Sequence, residues 1–169
     1  MTYLDKDSLK LSYNNFAEER DQSPIQPWKF HERENFLNQL KKENKKTLLE
    51  IGAGPGRDGL YFQENGLSVV CIDLSEEMVK RCKEKGLEAY CMDFYQMDFP
   101  DHHFDAVYAM NCLLHVPKSN IDEVLKEVRR VLKPKGLFFY GVYGGQDTEG
   151  IWEGDKYTPK RFFSMYRDE

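Results

Sequence analysis

Residues Thr47–Phe62 read TLLEIGAGPGRDGLYF. An apolar run ends at Glu50-Ile51, glycines follow at Gly52, Gly54 and Gly56, and a helical stretch begins after them. Glycine permits a sharp left-handed turn and lets a ligand approach the backbone with no Cβ in the way. A helix starting after such a turn points unpaired N–H groups into it, which favours an anionic group such as a carboxylate or phosphate. Taken alone, the motif also fits a glycine-rich connection that binds nothing. The next segment supplies context: SVVCID ends in Asp73, 21 residues after Gly52. A carboxylate at the end of the second strand suits a ribose diol. Asp73 can also open the following helix together with Ser75, and the two roles are compatible.

The same rhythm continues outward. Leu48–Ile51, Ser68–Ile72, Ala89–Met92, Ala106–Met110 and Leu137–Val142 are short, nearly unbroken apolar runs. Such runs predict strands covered on both faces, as in a parallel sheet. Between the last two lies a helix predicted over 119–133. Ile121, Val124, Leu125, Val128, Val131 and Leu132 share its face, Ser119 or Asn120 caps it, and Pro134 stops it. The order predicts a doubly wound α/β sheet, which binds ligands beyond the carboxyl ends of its strands. Before Thr47, residues 1–27 are polar and read as a short helix or arm ending in a turn. From Trp28 to Lys46 the pattern is helical, with Trp28, Phe36, Leu37 and Leu40 on one face. Its closing Lys41, Lys42, Lys45 and Lys46 read as complements to the helix dipole. The chain thus divides into an N-terminal helical cap, 1–46, and a ligand-binding domain, 47–169.

Composition narrows the function. With 169 residues, 40% of them hydrophobic, the chain is one domain with a core of its own. A net charge of −5 without a basic stripe argues against nucleic acid as a partner. Cys71, Cys82, Cys91 and Cys112 show no CxxC spacing and read as reduced thiols of a cytoplasmic protein. The N-terminus is charged from Asp5 onward, and the longest apolar stretch, near Leu137–Tyr143, is too short to span a bilayer, so no membrane role is expected. Neither a Cys/His ligand set nor a GxSxG elbow is present, so a metal or a serine nucleophile is not indicated.

The ligand class follows from comparing motifs. A dinucleotide fingerprint GxGxxG would need glycine where Arg57 stands, and GxxxxGK[ST] is absent. The spacing ExGxGxG over Glu50–Gly56, followed in order by IDLSEEMV, AYCMDF, FDAVYAMNCLLHVP and RRVLKPKGLFFYGVYGG, resembles class I S-adenosylmethionine-dependent methyltransferases of the small-molecule superfamily. The resemblance runs from about Thr47 to Gly145. It implies a mainly parallel, Rossmann-like sheet of order 3-2-1-4-5 and S-adenosylmethionine as cofactor. By that resemblance Gly52, Ala53 and Gly54 line the methionine end, with Glu50 supporting the turn. Asp73 holds the ribose hydroxyls, while Leu74 and Met78 lie against the adenine. Asp93 accepts from the adenine's exocyclic amine with Phe94 beside it, and Asn111 stands near the methionine ammonium. Arg57 can pair with the carboxylate bidentately, or it is an exposed structural arginine. Similar enzymes place a tyrosine over the cofactor where Tyr13 stands.

The implied reaction is in-line methyl transfer to a small-molecule acceptor, and the motifs assign no catalytic residue. His115 is a candidate base; the alternative is that it packs the loop after the fourth strand. His102 and His103 read as solvated turn residues. Tyr3, Tyr13, Phe16, Trp28, Tyr143 and Trp152 can form a lid or acceptor pocket, although packing of the extension onto the core is expected for most of them. Two departures stand out. Lys135 occupies a turn where glycine is usual, on the face opposite the ligand. The family's sheet continues beyond a segment like YTPKRFFSMYRDE with a helix and two strands, whereas no sixth or seventh strand is expected here. The fifth strand is then an edge, belonging to a chain cut short or to a homodimer that closes it. A cofactor-binding regulatory module without turnover is the second reading. A nicotinamide-dependent oxidoreductase is the third, disfavoured by Arg57 and Asp93.

Overall fold

The computed structural model describes residues 6–168. Helices α1 (Lys6–Asn15), α2 (Ala17–Gln22) and α3 (Pro27–Lys42) precede the sheet. Then β1 (Thr47–Ile51), α4 (Arg57–Glu64), β2 (Ser68–Asp73), α5 (Glu76–Glu84) and β3 (Glu88–Cys91) alternate. After β4 (Phe104–Met110) come two 3₁₀ turns, Leu113–His115 and Lys118–Asn120, then α6 (Ile121–Val131) and β5 (Leu132–Gly141). The five strands form one parallel sheet in the order β3-β2-β1-β4-β5, as expected. No helix among the described residues is long and apolar enough to cross a membrane.

Alternate strand residues feed two cores, which explains the unbroken apolar runs. Leu48, Cys71, Ala106 and Tyr108 face Phe36 and Leu40 of α3, Phe62 of α4 and Val79 of α5. Leu49, Ile51, Ile72 and Val107 face Val124, Val128 and Val131 of α6. The switch of strand order between β1 and β4 opens a crevice above their carboxyl ends, where such sheets take ligands.

Four expectations need correction. Trp28 does not join Phe36, Leu37 and Leu40 inside: it lies in the first turn of α3, past the rim of the core, 40% exposed and edge-on to Tyr143. Helix α6 ends at Val131, ahead of Pro134, because Leu132 is already extended (ψ 135°) and pairs with Phe104. Strand β5 therefore starts earlier than its apolar run, bulging past Pro134 and Lys135 before pairing resumes at Leu137 opposite Ala106. Lys135 takes the left-handed conformation (φ +63°) expected of that turn.

The fourth correction concerns the chain after β5. Two more strands exist, β6 (Thr148–Ile151) and β7 (Phe162–Met165), but they pair antiparallel as a separate ribbon. With only four residues each, they carry too little alternation to register in the sequence. The ribbon folds back onto the loop after β4, where Ser164 donates to the Val116 carbonyl at 2.8 Å. The outer edge of β5 remains without a strand partner among the described residues, as expected.

Candidate functional site

The glycine turn after β1 is built for close approach. Gly52, Gly54 and Gly56 all have positive φ (+59°, +57° and +82°), a region where L side chains are strained. The turn is braced from β2: the Ala53 amide donates to the Ile72 carbonyl at 3.0 Å, and the Gly54 amide donates to Asp73 Oδ2 at 2.9 Å. The other carboxylate oxygen of Asp73 accepts from the Ser75 amide at 2.9 Å, while Ser75 Oγ caps α5 by accepting from the Met78 amide at 3.1 Å. Asp73 and Ser75 thus divide the work, and each Asp73 oxygen keeps a lone pair for a ligand. Burial raises the Asp73 carboxyl above its ordinary value, while the amides of Ser75 and Gly54 act in the opposite direction. Glu50 lies beneath, 4% exposed and pushed well up by burial. Helix α4 seats on it through Gly59, where a Cβ would come within 2.6 Å of Glu50 Oε2.

Above this turn is a cleft with about 950 Å³ of empty space, its open mouth included. Of the residues singled out in the sequence, Tyr13, Glu50, Gly52, Ala53, Gly54, Arg57, Asp73, Leu74, Met78, Phe94, Asn111 and His115 line it. Asp93 does not. It faces an adjoining smaller cleft, where it is ion-paired with Lys6 and accepts from the Tyr95 amide at 3.0 Å. Leu74, Phe94 and His115 border both clefts. Arg57 spends Nη1 on the Ser23 carbonyl at 2.5 Å, tying α4 to the end of α2.

Asn111 is the most telling residue of the lining. It sits just past β4 with φ +54°, its amide donating to the Gly141 carbonyl at 2.7 Å. Both side-chain atoms, Oδ1 and Nδ2, are buried, yet neither has a hydrogen-bond partner among the described residues. A buried amide with both groups unmet costs on the order of 1–3 kcal/mol per group. Strain and an unmet amide in one residue mark a place where a ligand completes the structure.

Also in the lining, a hydrogen-bonded chain joins three distant segments. The Phe162 carbonyl can only accept, so His115 donates to it from Nδ1, at 2.7 Å. His115 Nε2 is then the acceptor for the Tyr13 hydroxyl, at 2.6 Å. Arg161 Nη1 donates to the same Tyr13 oxygen at 3.0 Å, and its Nε and Nη2 grip both oxygens of Asp155 at 2.8 Å. Burial lowers His115 to about 4 and raises Tyr13 to about 12, so both are neutral at neutral pH.

The other aromatics gather around the ribbon more than around the core. Phe16 packs on Tyr157 and Trp152 meets Phe163 edge-on, while Tyr3 lies outside the described residues. His102 and His103 are exposed, as expected. Arg161, Asp155, Arg20 and Lys29 were not singled out by the sequence. No local motif marks them; their place in the site comes from chain folding over the cleft.

Comparison with known proteins agrees with this architecture. The family model for the methyltransferase domain matches residues 49–140, more than half of the chain. Sterol 24-C-methyltransferase ERG6B of Gibberella zeae is 35% identical over 125 residues, covering 68% of this chain and 31% of that protein. Squalene methyltransferase 1 of Botryococcus braunii is 38% identical over 99 residues, 53% of this chain and 26% of that protein. The chain thus spans about a third or less of the length of these curated relatives. Among solved structures, the 1,6-didemethyltoxoflavin-N1-methyltransferase of Burkholderia thailandensis superposes with a TM-score of 0.70 at 18% identity, over 96% of this chain and 72% of that one, a likeness of fold. With its five ordered motifs, its sheet order and its glycine turn, the chain belongs to the methyltransferase domain family.

Proposed function

We propose that the chain is an S-adenosylmethionine-dependent methyltransferase acting on a small-molecule acceptor. The observation that carries this reading is the unmet Asn111 amide, buried in the same cleft as the glycine turn and Asp73. The residues present fit the cofactor's chemistry. Asn111 Oδ1 can accept from an ammonium, the turn leaves no Cβ in a ligand's way, and Asp73 has lone pairs for a ribose diol. Leu74, Met78 and Phe94 offer an apolar wall for a purine. Asp93 reaches an exocyclic amine only from the adjoining cleft and only by sharing its carboxylate with Lys6.

When bound, S-adenosylmethionine supplies an electrophilic methyl group whose departure leaves a neutral thioether, so no acid is required. The protein's task is alignment, which can contribute roughly 7–11 kcal/mol to such a reaction. Tyr13 is placed for that. Its hydroxyl donates a hydrogen bond to His115, accepts one from Arg161, and retains a lone pair for the acceptor's O–H or N–H. His115 acts through Tyr13, since the tyrosine hydroxyl covers its Nε2 lone pair. Held at about 4, its imidazole is a poor resting place for a proton, so the pair serves to orient the acceptor.

Calorimetry with S-adenosylmethionine, S-adenosylhomocysteine and NAD tests the reading. Binding of the two sulfur compounds supports it; binding of NAD alone overturns it. Radiolabelled methyl transfer to a panel of acceptors then separates an enzyme from a cofactor-binding regulatory module. A cytoplasmic setting belongs to the same proposal, supported by four free cysteines, three of them buried. The open edge of β5 supports a homodimer that covers it. Light scattering decides that point: a dimer supports it, and a monomer with an ordered β5 contradicts it.

A further inference from the structure

The N-terminal helices bring cations to the cleft that the cofactor alone does not require. Arg20 from α2 and Lys29 from α3 line it, with Arg57 at the start of α4. Arg57 is partly committed to the Ser23 carbonyl. The other two are free: among the described residues, neither the Arg20 guanidinium nor the Lys29 ammonium has a hydrogen-bond or ion-pair partner, and Lys29 only lies 5.5 Å from the centre of the Trp28 ring. Both are half-buried.

No carboxylate among the described residues pairs with them directly. Asp58 is taken by Arg33 Nη1 at 3.1 Å and by the Tyr108 hydroxyl at 3.4 Å. Asp73 is tied to two backbone amides, and Glu50 is buried under the turn. Desolvation and then the charge of Arg20 lower the Lys29 pKa, and the charge of Asp58, which pulls the other way, does not reverse the shift. Holding two such groups together costs free energy that an incoming anion would offset. In a chain of net charge −5, two cations without a direct counter-ion are a specific feature of the cleft.

The cofactor would bring one carboxylate, close to the glycine turn and Arg57. Arg20 is within electrostatic reach of Arg57 and Lys29 and also of Tyr13 and His115, so it connects the cationic rim to the Tyr13–His115 pair. We propose that Arg20 and Lys29 form an anion subsite for the methyl acceptor, which is therefore a small molecule bearing a carboxylate or phosphate-type group. The proposal rests on the S-adenosylmethionine reading. It also separates this chain from relatives named for sterol or squalene, since a hydrocarbon acceptor would offer neither cation a counter-charge.

Calorimetry on the full chain tests it, with acetate and inorganic phosphate titrated separately into free protein and into protein saturated with S-adenosylhomocysteine, at constant ionic strength in chloride. The expected result is that at least one anion binds the complex. Arg20→Gln and Lys29→Met should each weaken that binding at least tenfold, changing affinity for S-adenosylhomocysteine by less than threefold, and Lys29→Arg should restore it. Which anion binds more tightly assigns the carboxylate or phosphate class. If S-adenosylhomocysteine binds but neither anion does, the subsite is overturned. A tenfold loss of S-adenosylhomocysteine affinity in Arg20→Gln or Lys29→Met also overturns it, because the cations then serve the cofactor's carboxylate. Should S-adenosylhomocysteine fail to bind the unaltered protein, the cofactor reading falls instead. The titrations into free protein then decide the subsite: anion binding abolished by the two substitutions supports it, and no binding overturns it.

Discussion

The Tyr13 hydroxyl donates to His115 Nε2 at 2.6 Å, joining the first helix to the loop after β4 across 102 residues of chain. This bond requires a neutral imidazole, and burial enforces one by lowering His115 to about 4 from an ordinary 6.5. The folded state therefore binds fewer protons than the unfolded chain between those two values. Stability contributed by His115 is fully present above pH 6.5 and is lost as pH falls toward 4. The shift corresponds to roughly 3 kcal/mol. Urea unfolding at pH 7, 5.5 and 4.5 should show this decline, and His115→Asn should flatten it. An equally steep decline in the variant would assign the effect to other groups.

Replacing the hydroxyl that holds this chain together has a separate consequence. Tyr13→Phe leaves His115 Nε2 without its donor and removes the oxygen on which Arg161 Nη1 rests. Because the phenyl ring remains, the loss is confined to polar partners. Destabilisation of about 1–3 kcal/mol is expected. If Tyr13 orients the acceptor, the variant should also lose kcat while its affinity for S-adenosylhomocysteine changes little. A selective loss of S-adenosylhomocysteine affinity would instead place Tyr13 over the cofactor.

Such long-range bonds mark the limit of what the sequence reveals. The sheet order was legible because strands covered on both faces must be apolar throughout, and because glycines at 52, 54 and 56 announce a left-handed turn in five residues of text. Tyr13 and His115 were each legible singly, by resemblance. Their bond was not, and neither was Arg161, which reaches Tyr13 across 148 residues. Periodicity puts Trp28 on the face of Phe36, Leu37 and Leu40, but it locates a helical face without saying where along the axis the core stops. Asp93 was placed by its position at the end of β3, but Lys6, 87 residues earlier, draws its carboxylate to the adjoining cleft.

Asp73 has two duties, and its variants should reveal both. Its oxygens brace the glycine turn and the start of α5 at 2.9 Å each, besides facing the cleft. Asp73→Ala should therefore weaken S-adenosylhomocysteine binding at least tenfold and also destabilise the fold by about 1–3 kcal/mol. Asp73→Asn keeps one accepting oxygen and should lose less stability than affinity. Affinity unchanged in both variants would show that the ribose lies elsewhere.

The two glycines flanking Ala53 have nearly the same φ, +59° at Gly52 and +57° at Gly54, yet their surroundings differ. A Cβ on Gly52 would stand 2.3 Å from Cys112 Cβ, whereas one on Gly54 would meet nothing within 4 Å. A left-handed alanine costs roughly 1–2 kcal/mol at either position. Gly52→Ala must add to this the displacement of Cys112, which is 7% exposed and donates from Sγ to the Ile51 carbonyl at 3.3 Å. It should lower the thermal midpoint sharply, with ligand affinity falling as a consequence. Gly54→Ala should lower the midpoint only by the strain of the left-handed alanine, less than Gly52→Ala does, and lose S-adenosylhomocysteine binding at least tenfold, because its methyl group projects into open space of the cleft. Unimpaired binding in Gly54→Ala would mean that the ligand does not approach the turn there, and the cofactor would have to be placed elsewhere in the cleft.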